Sequence, residues 1–249
     1  MVNGCSLMRI DCALLPSMVD EKRLSEGVAV VIDVLRATTV IVTAFASGCR
    51  QVFPVRTLEE ALNLREKMHA ISPLLAGERG GMRIKGFDKG NSPLEFCDSS
   101  VRDASIIMTT TNGTNAILSV MDARQVVIAS FRNRAAVCDY VREAESLLLV
   151  CSGTEGVVTL EDVACAGAVI DGMGGKAESC ALSDSAELAH ALYLYYRDDL
   201  KALFTLKSRH GRRLISLGFE DDVALCAEQD TISCIPVFSK SEGAVYRAE

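Results

Sequence analysis

Five apolar residues in a row, Val28-Ala29-Val30-Val31-Ile32, run straight into a charged turn, Asp33-Val34-Leu35-Arg36-Ala37-Thr38-Thr39. A strand that is apolar on both faces must be covered on both faces, which places it inside a largely parallel sheet between helices. Similar runs recur at 105–108, 125–129 and 147–150, and weaker ones at 51–55 and 73–76. Helical patterns lie between them. Thr57-Leu58-Glu59-Glu60 and Ser92-Pro93-Leu94-Glu95 have capping-box spacing, the second with proline at the first helical position. Thr159-Leu160-Glu161-Asp162 offers a third start, for a helix of small residues through Ile170. Asp184-Ser185-Ala186-Glu187 opens the longest helix, with Ala189, Leu192, Tyr196, Leu200 and Leu203 on one face. Gly172-Met173-Gly174-Gly175 separates these last two. The expected class is α/β: mixed, largely parallel sheets with flanking helices. A chain of 249 residues suits a single domain, 1–249, or two intimately joined lobes, and a division is expected only near residue 125.

Charge excludes one class of partner. The 26 basic and 33 acidic residues give a formal net charge of -7, whereas a nucleic-acid binder carries a basic excess. No basic cluster is interleaved with aromatics, and tryptophan is absent. The 10 cysteines form no C-x-x-C pair, and His69, His190 and His210 lie far from ligand-like spacing, which argues against a zinc ribbon or finger. Cys151, at the end of Leu148-Leu149-Val150, reads as a reduced, buried thiol. The start, Met-Val-Asn-Gly-Cys-Ser, has no basic stretch followed by an apolar one, so no secretion signal is expected. The longest apolar tract, 28–46, is interrupted by Asp33 and Arg36, which argues against a membrane span. The expectation is a cytoplasmic protein without nucleic-acid or membrane partners, with a homodimer as the candidate assembly.

Three segments share one design, an apolar strand, a polar loop and a helix. The loops are 33–39, Thr109-Thr110-Thr111-Asn112-Gly113-Thr114, and Cys151-Ser152-Gly153-Thr154-Glu155-Gly156. Ligands of open α/β sheets bind beyond strand carboxyl ends, where glycines admit close approach and helix starts attract anions. Capping and turn formation explain any one such loop. The same design three times points to a shared oxyanion site. Asp33 is the most informative single residue, because a carboxylate there can bind Mg²⁺ or attack phosphorus while Arg36 neutralises phosphoryl oxygens. An internal Asp33–Arg36 ion pair or an N-cap is the structural alternative.

A glycine-rich region follows, Ala76-Gly77-Glu78-Arg79-Gly80-Gly81 and Gly86-Phe87-Asp88-Lys89-Gly90-Asn91-Ser92-Pro93. Its embedded charges suit a loop shaped over a site, and a solvated surface loop is the alternative. Glu95 reads as a capping residue. Glu161 and Asp162, in a first helical turn, are explained by the helix dipole, yet beside Asp33 they would complete an oxygen-rich cluster for Mg²⁺. Several phosphoryl- and acyl-transfer designs are excluded. Leu35 stands where a haloacid-dehalogenase-type phosphatase needs a second Asp. Val157 stands where a tyrosine-phosphatase loop after Cys151 needs Arg. Neither G-x-x-x-x-G-K-[ST] nor G-x-S-x-G occurs. The residues alone reach a Mg²⁺-assisted site for a small phosphorylated anion.

Taken in order, these strings resemble the 2-phosphosulfolactate phosphatase family, a Mg²⁺-dependent class associated with coenzyme M biosynthesis. The resemblance runs from 31–39 through 77–81, 86–93, 109–114 and 151–154 to Leu160-Glu161-Asp162, Cys165-Ala166-Gly167 and Leu217-Gly218-Phe219-Glu220-Asp221-Asp222. Asn115 departs from it, standing where a basic residue is expected. The resemblance implies hydrolysis of 2-phosphosulfolactate to 3-sulfolactate and phosphate, by Asp33 or a metal-held water. Asp33, Glu78 and Asp88 are then the candidate catalytic carboxylates, and Asp33, Glu161 and Asp162 the candidate Mg²⁺ ligands. Substrate binding falls to Arg36, Thr38, Thr39, Arg79, Asn91, Ser92, Asn112, Gly113, Thr114, Ser152, Gly153 and Thr154. Arg36 and Arg79 lead that group, because guanidinium forks match phosphate and sulfonate oxygens. Another phosphorylated hydroxy acid as substrate, a non-catalytic sulfonate- or phosphate-binding protein, and a structural subunit are the competing readings.

Overall fold

The structure is a computed structural model in which residues 7–174 and 180–248 are described. Residues 1–6, including Cys5, and Gly175 of the glycine-rich breaker lie outside the described residues. The strands are β1 (Met8–Ala13), β2 (Val28–Ile32), β3 (Gln51–Pro54), β4 (Leu74–Arg79), β5 (Met82–Arg83) and β6 (Ser105–Thr109). They continue with β7 (Gln125–Ala129), β8 (Ser146–Cys151), β9 (Cys180–Leu182), β10 (Pro236–Ser239) and β11 (Ala244–Arg247). The helices are α1 (Ala37–Ala46), α2 (Leu58–Lys67), α3 (Gly113–Ser119), α4 (Arg134–Tyr140) and α5 (Leu160–Gly172). After them come α6 (Asp184–Tyr196), α7 (Leu200–Ala202), α8 (Arg209–Ser216) and α9 (Glu220–Cys226).

All described strands join one sheet, in the order β5-β4-β6-β3-β11-β10-β7-β2-β8-β1-β9. It contains two parallel blocks, β4-β6-β3 and β7-β2-β8-β1-β9. The β10–β11 hairpin splices them through antiparallel pairs, Val237 with Val127 and Val245 with Val52. The sheet is therefore mixed and largely parallel, as the apolar runs require. The division near residue 125 falls at the start of β7, in the middle of this continuous sheet.

Every residue of β2 after Val28 is buried, because a helix layer covers each face. On one side Ala29 and Val31 pack with Val40, Ile41 and Phe45 of α1, in a cluster that also holds Val52, Ile106, Met108, Phe238 and Val245. Residues 37–45 of α1 are buried all round, so the helix lies within the curve of the sheet rather than on its surface. On the other side Val30 and Ile32 meet Ala164, Ala168 and Val169 of α5, with Phe204 and Leu214 beyond. The small residues of α5 let α6 approach closely; a methyl at Gly167 would overlap the Ala189 carbonyl. The described cysteines are free thiols, and burial pushes the Cys151 thiol above its ordinary range, after the larger effect of its neighbour Cys12.

Three local expectations change. Ser92 and Glu95 do not form a capping box: 93–96 is a short 3-10 turn, and the Glu95 carboxylate accepts the Gly90 amide at 2.9 Å. Thr159 caps nothing with its side chain and donates to Asp162 instead. Helix α6 opens at Asp184 as expected, capped by Ser183, but ends at Tyr196; Asp199 caps α7 separately, so Leu200 and Leu203 belong to new turns. Strands β1, β5, β9, β10 and β11 carry too few consecutive apolar residues to stand out. No described helix is long and apolar enough to cross a membrane.

Candidate active site

Asp33 emerges where β2 stops and is 6% exposed. The turn is knotted by Thr38, whose hydroxyl accepts the Asp33 amide and donates to the Asp33 carbonyl, both at 2.9 Å. Thr39 likewise donates to the Val34 carbonyl at 2.8 Å. These bonds start α1 and aim its first amide, from Ala37, at Asp33 Oδ1 at 3.2 Å. The Leu35–Arg36 peptide is cis. The second loop presses against the same carboxylate. A Cβ at Gly113 would lie 2.6 Å from Asp33 Oδ2 and overlap the Ala37 methyl, so only glycine fits there.

Glu78 ties the loops together. Its carboxylate accepts the Gly81 amide and the Thr111 amide, each at 2.8 Å. Thr110 and Thr114 lock the second loop by trading hydroxyl and amide bonds at 3.0 and 3.1 Å. Asn112 Oδ1 accepts the Glu155 amide at 3.0 Å, which joins the second loop to the third. Beneath the third, Asp162 accepts four donors: the Val34 amide at 2.8 Å, Thr159 Oγ1 at 2.8 Å, and Ser152 Oγ and the Gly153 amide at 3.0 Å. Asp33, Arg36, Glu78, Asn91, Thr110, Thr111, Asn112, Thr154 and Glu155 thus surround one cavity of about 30 Å³, with His210 and Arg213 from α8. A larger cavity, about 310 Å³, lies over β1 and the amino-terminal halves of β2 and β8 and includes none of the three loops.

Carboxyl groups are concentrated here. Burial foremost, then the charges of Asp162 and Glu78, pushes the Asp33 carboxyl well above its ordinary range, against the Ala37 amide and Ser152 hydroxyl. Burial raises Asp162 to about 6 despite its donors. Burial and Asp162 raise Glu161 to about 8. His210 Nε2 lies 2.8 Å from the Leu35 carbonyl and so carries the ring proton, which leaves Nδ1 a buried acceptor with no protein partner. Burial holds that imidazole below its ordinary value.

The loops meet, but the expected residues divide. Asp33, Glu78, Arg36, Asn91, Asn112 and Thr154 line the cavity; Gly113 abuts Asp33, and Ser152 and Gly153 underpin the wall through Asp162. Thr38, Thr39 and Thr114 are fully buried and bonded to backbone, so they brace loops. Arg36 is also committed: Nη1 pairs with Asp222 at 2.5 Å, Nη2 donates to the Gly81 carbonyl at 2.7 Å, and the guanidinium sits 4.1 Å from the Phe219 ring centre. Ser92 donates to the same Asp222 at 2.6 Å. Arg79 turns away, to the Glu78 carbonyl at 2.6 Å and Thr109 Oγ1 at 2.9 Å. Asp88 lies outside the cavity, accepting the Leu75 amide at 2.8 Å and facing Arg65 at 3.5 Å. His210 and Arg213 are cavity residues that the sequence reading passed over.

The expected metal set is not assembled. Among the described residues no three His, Cys, Asp or Glu side chains are spaced to hold an ion. Asp162 has its oxygens filled by donors, and Glu161, whose Oε2 is buried without a partner, lies outside the cavity. A different donor set does suit a hard divalent cation. Asn91 Oδ1 is buried with no partner, and it shares the cavity with the crowded carboxylates of Asp33 and Glu78.

Comparison with known proteins follows the same line. The family model described as 2-phosphosulpholactate phosphatase matches residues 13–241. A protein of Clostridium novyi (strain NT) named "Probable 2-phosphosulfolactate phosphatase" is 38% identical over 93% of this chain and 97% of its own. One of the same name from Pseudothermotoga lettingae is 40% identical over 92% of this chain and 95% of its own. Another from Thermotoga petrophila is 42% identical over 84% of this chain and 87% of its own.

Proposed function

The chain belongs to the 2-phosphosulpholactate phosphatase family, and from that premise we propose that it hydrolyses 2-phosphosulfolactate to 3-sulfolactate and phosphate at the Asp33 cavity. The observation that carries the assignment to this cavity is the buried Asp33 carboxylate, held against Gly113 where three polar loops meet. Asp33 is the reacting group in this reading. The Ala37 amide fixes one oxygen and orients the other, and the Thr110-Thr111-Asn112 loop receives the phosphoryl oxygens. Glu78 holds that loop and the Gly81 turn at fixed distance from Asp33. Arg36, locked by Asp222 and Phe219, provides a fixed positive charge at the cavity wall.

We infer Mg²⁺ as the cofactor; Asp33 and Asn91 would hold it, with Glu78 beside them, and when bound it would neutralise charge at the phosphoryl group. Arg79 and Asp88 have no direct part in this reading.

Phosphate release from 2-phosphosulfolactate, with Mg²⁺ and in excess chelator, tests both statements. Asp33→Asn should remove nearly all turnover while the circular dichroism spectrum is retained. Borohydride trapping during turnover then tells whether Asp33 or a water attacks phosphorus, because only an aspartyl phosphate at Asp33 is reduced to homoserine. Unchanged turnover in Asp33→Asn sinks the assignment of this cavity; unchanged turnover in chelator sinks the cofactor.

A further inference from the structure

The Asp33 cavity is small, and one of its walls is an ion pair. Arg213 Nη1 lies 3.2 Å from Glu155 Oε1, and both side chains are largely exposed. Beyond them is a second cavity, of about 260 Å³, which shares Thr154, Glu155, His210 and Arg213 with the first. The pair is therefore part of the partition between the two spaces, together with Thr154 and His210.

The chemistry of the second cavity is lopsided. Lys207, Arg209 and Arg213 line it, and Glu155 is its one acid. Val157, Val158 and Leu160 line it as well. Such a space suits the end of a small ligand that carries an oxyanion on a short carbon frame. The first cavity, at about 30 Å³, has room for water but not for a whole phosphoryl group with its ester carbon. Entry from the second cavity runs past Glu155 and Arg213. Glu155 sits on a loop with left-handed backbone at Gly153, Glu155 and Gly156 (φ 61, 53 and 76°), anchored to the second loop by its amide on Asn112. Its carboxylate meets Arg213 in solvent, where ion pairs are weak and exchange readily.

We propose that Arg213 is the specificity residue of this site, and that the second oxyanion of the substrate takes the place of Glu155 on its guanidinium. This rests on the phosphatase reading above and narrows it. The favoured substrates are phosphate monoesters that carry a sulfonate or carboxylate within a few atoms of phosphorus. Glu155 acts as the resident counter-ion, occupying Arg213 until such a group arrives. An ester without a second oxyanion has nothing to offer Arg213, and the partition remains closed to it.

Calorimetric titration with sulfoacetate, a small dianion with no phosphate to lose, reads the exchange without turnover. Arg213→Gln should weaken sulfoacetate binding roughly tenfold or more, the scale of one charge-assisted contact. Glu155→Gln should tighten it several-fold, because the competing carboxylate is gone. Arg212→Gln makes the same charge change on the same helix, outside both cavities, and should leave binding unaltered. Malonate in parallel shows which oxyanion is preferred: tighter sulfoacetate assigns the seat to a sulfonate, tighter malonate to a carboxylate. In kinetics, Arg213→Gln should raise KM for 2-phosphosulfolactate far more than for isopropyl phosphate. Sulfoacetate binding indifferent to Arg213→Gln, or weakened by Glu155→Gln, overturns the exchange. Failure of the phosphatase reading would show separately, as absent phosphate release from 2-phosphosulfolactate with sulfoacetate binding intact.

Discussion

At the scale of single residues, the Asp33 turn has little tolerance. Gly113→Ala puts a methyl into the space held by Asp33 Oδ2 and Ala37, so the loop or the carboxylate must shift by a large part of an ångström. Misplacement on that scale costs about 100-fold in rate. The expected result is a fall of that order in kcat with an unchanged circular dichroism spectrum. Glu161 makes a prediction about pH. Its carboxyl has an ordinary value of 4.5 and is raised to about 8 in the fold. As pH rises past 4.5 the unfolded chain releases the proton, while the folded protein keeps it until about 8. Stability therefore falls across that window, by at most about 1.4 kcal/mol per pH unit from this group. Glu161→Gln should flatten the decline, giving a higher melting temperature than the parent at pH 8 and little difference at pH 4. Asp33 was legible as a candidate because a carboxylate ending a run of five apolar residues must find a partner in the fold, by capping, pairing or holding a ligand. His210 and Arg213 were not. Ser208-Arg209-His210-Gly211-Arg212-Arg213 reads as a solvated basic turn, and nothing local announces that the imidazole is tied to a carbonyl 175 residues away.

At the scale of elements, the site is an agreement among loops, and the strongest clause of it is buried. The Arg36–Asp222 pair, both side chains 2% exposed, connects the Asp33 turn to α9, and Ser92 and the Gly81 carbonyl complete the set. Removing one partner of a buried pair leaves an uncompensated charge, at a cost of about 3–5 kcal/mol. Asp222→Ala should lower the urea midpoint accordingly, and activity should fall with it because Arg36 loses its hold. The apolar runs made the parallel strands legible, since a strand covered on both faces has no room for polar residues. Strands β1 and β11, with Arg9, Asp11, Tyr246 and Arg247 interleaved, gave no such signal. Helix starts were legible where a hydroxyl faces its own amide, as at Thr57 with Glu60. They were misread where the hydroxyl answers a distant need, as Ser92 does for Asp222.

At the scale of the whole molecule, convergence of the three loops depends on the sheet curving around α1. The two parallel blocks are separated by three antiparallel pairings and so run in opposite senses along the ladder. Loop 110–114 reaches Asp33 because the sheet bends, bringing Met108 and Val31 into one apolar cluster with α1. Removing residues 236–248 deletes the splice, and the expected product is a chain without a cooperative urea transition that exposes apolar surface to a fluorescent dye. The hairpin has a further consequence. It follows every other described strand in sequence yet occupies the centre of the sheet, so a growing chain has both blocks in hand before it has the piece that joins them. Each block must meanwhile keep an unpaired edge, at Val52 on one side and Val127 on the other, from pairing with a neighbour. Until residues 236–247 have left the ribosome, two open edges wait for a single strip of chain to close them.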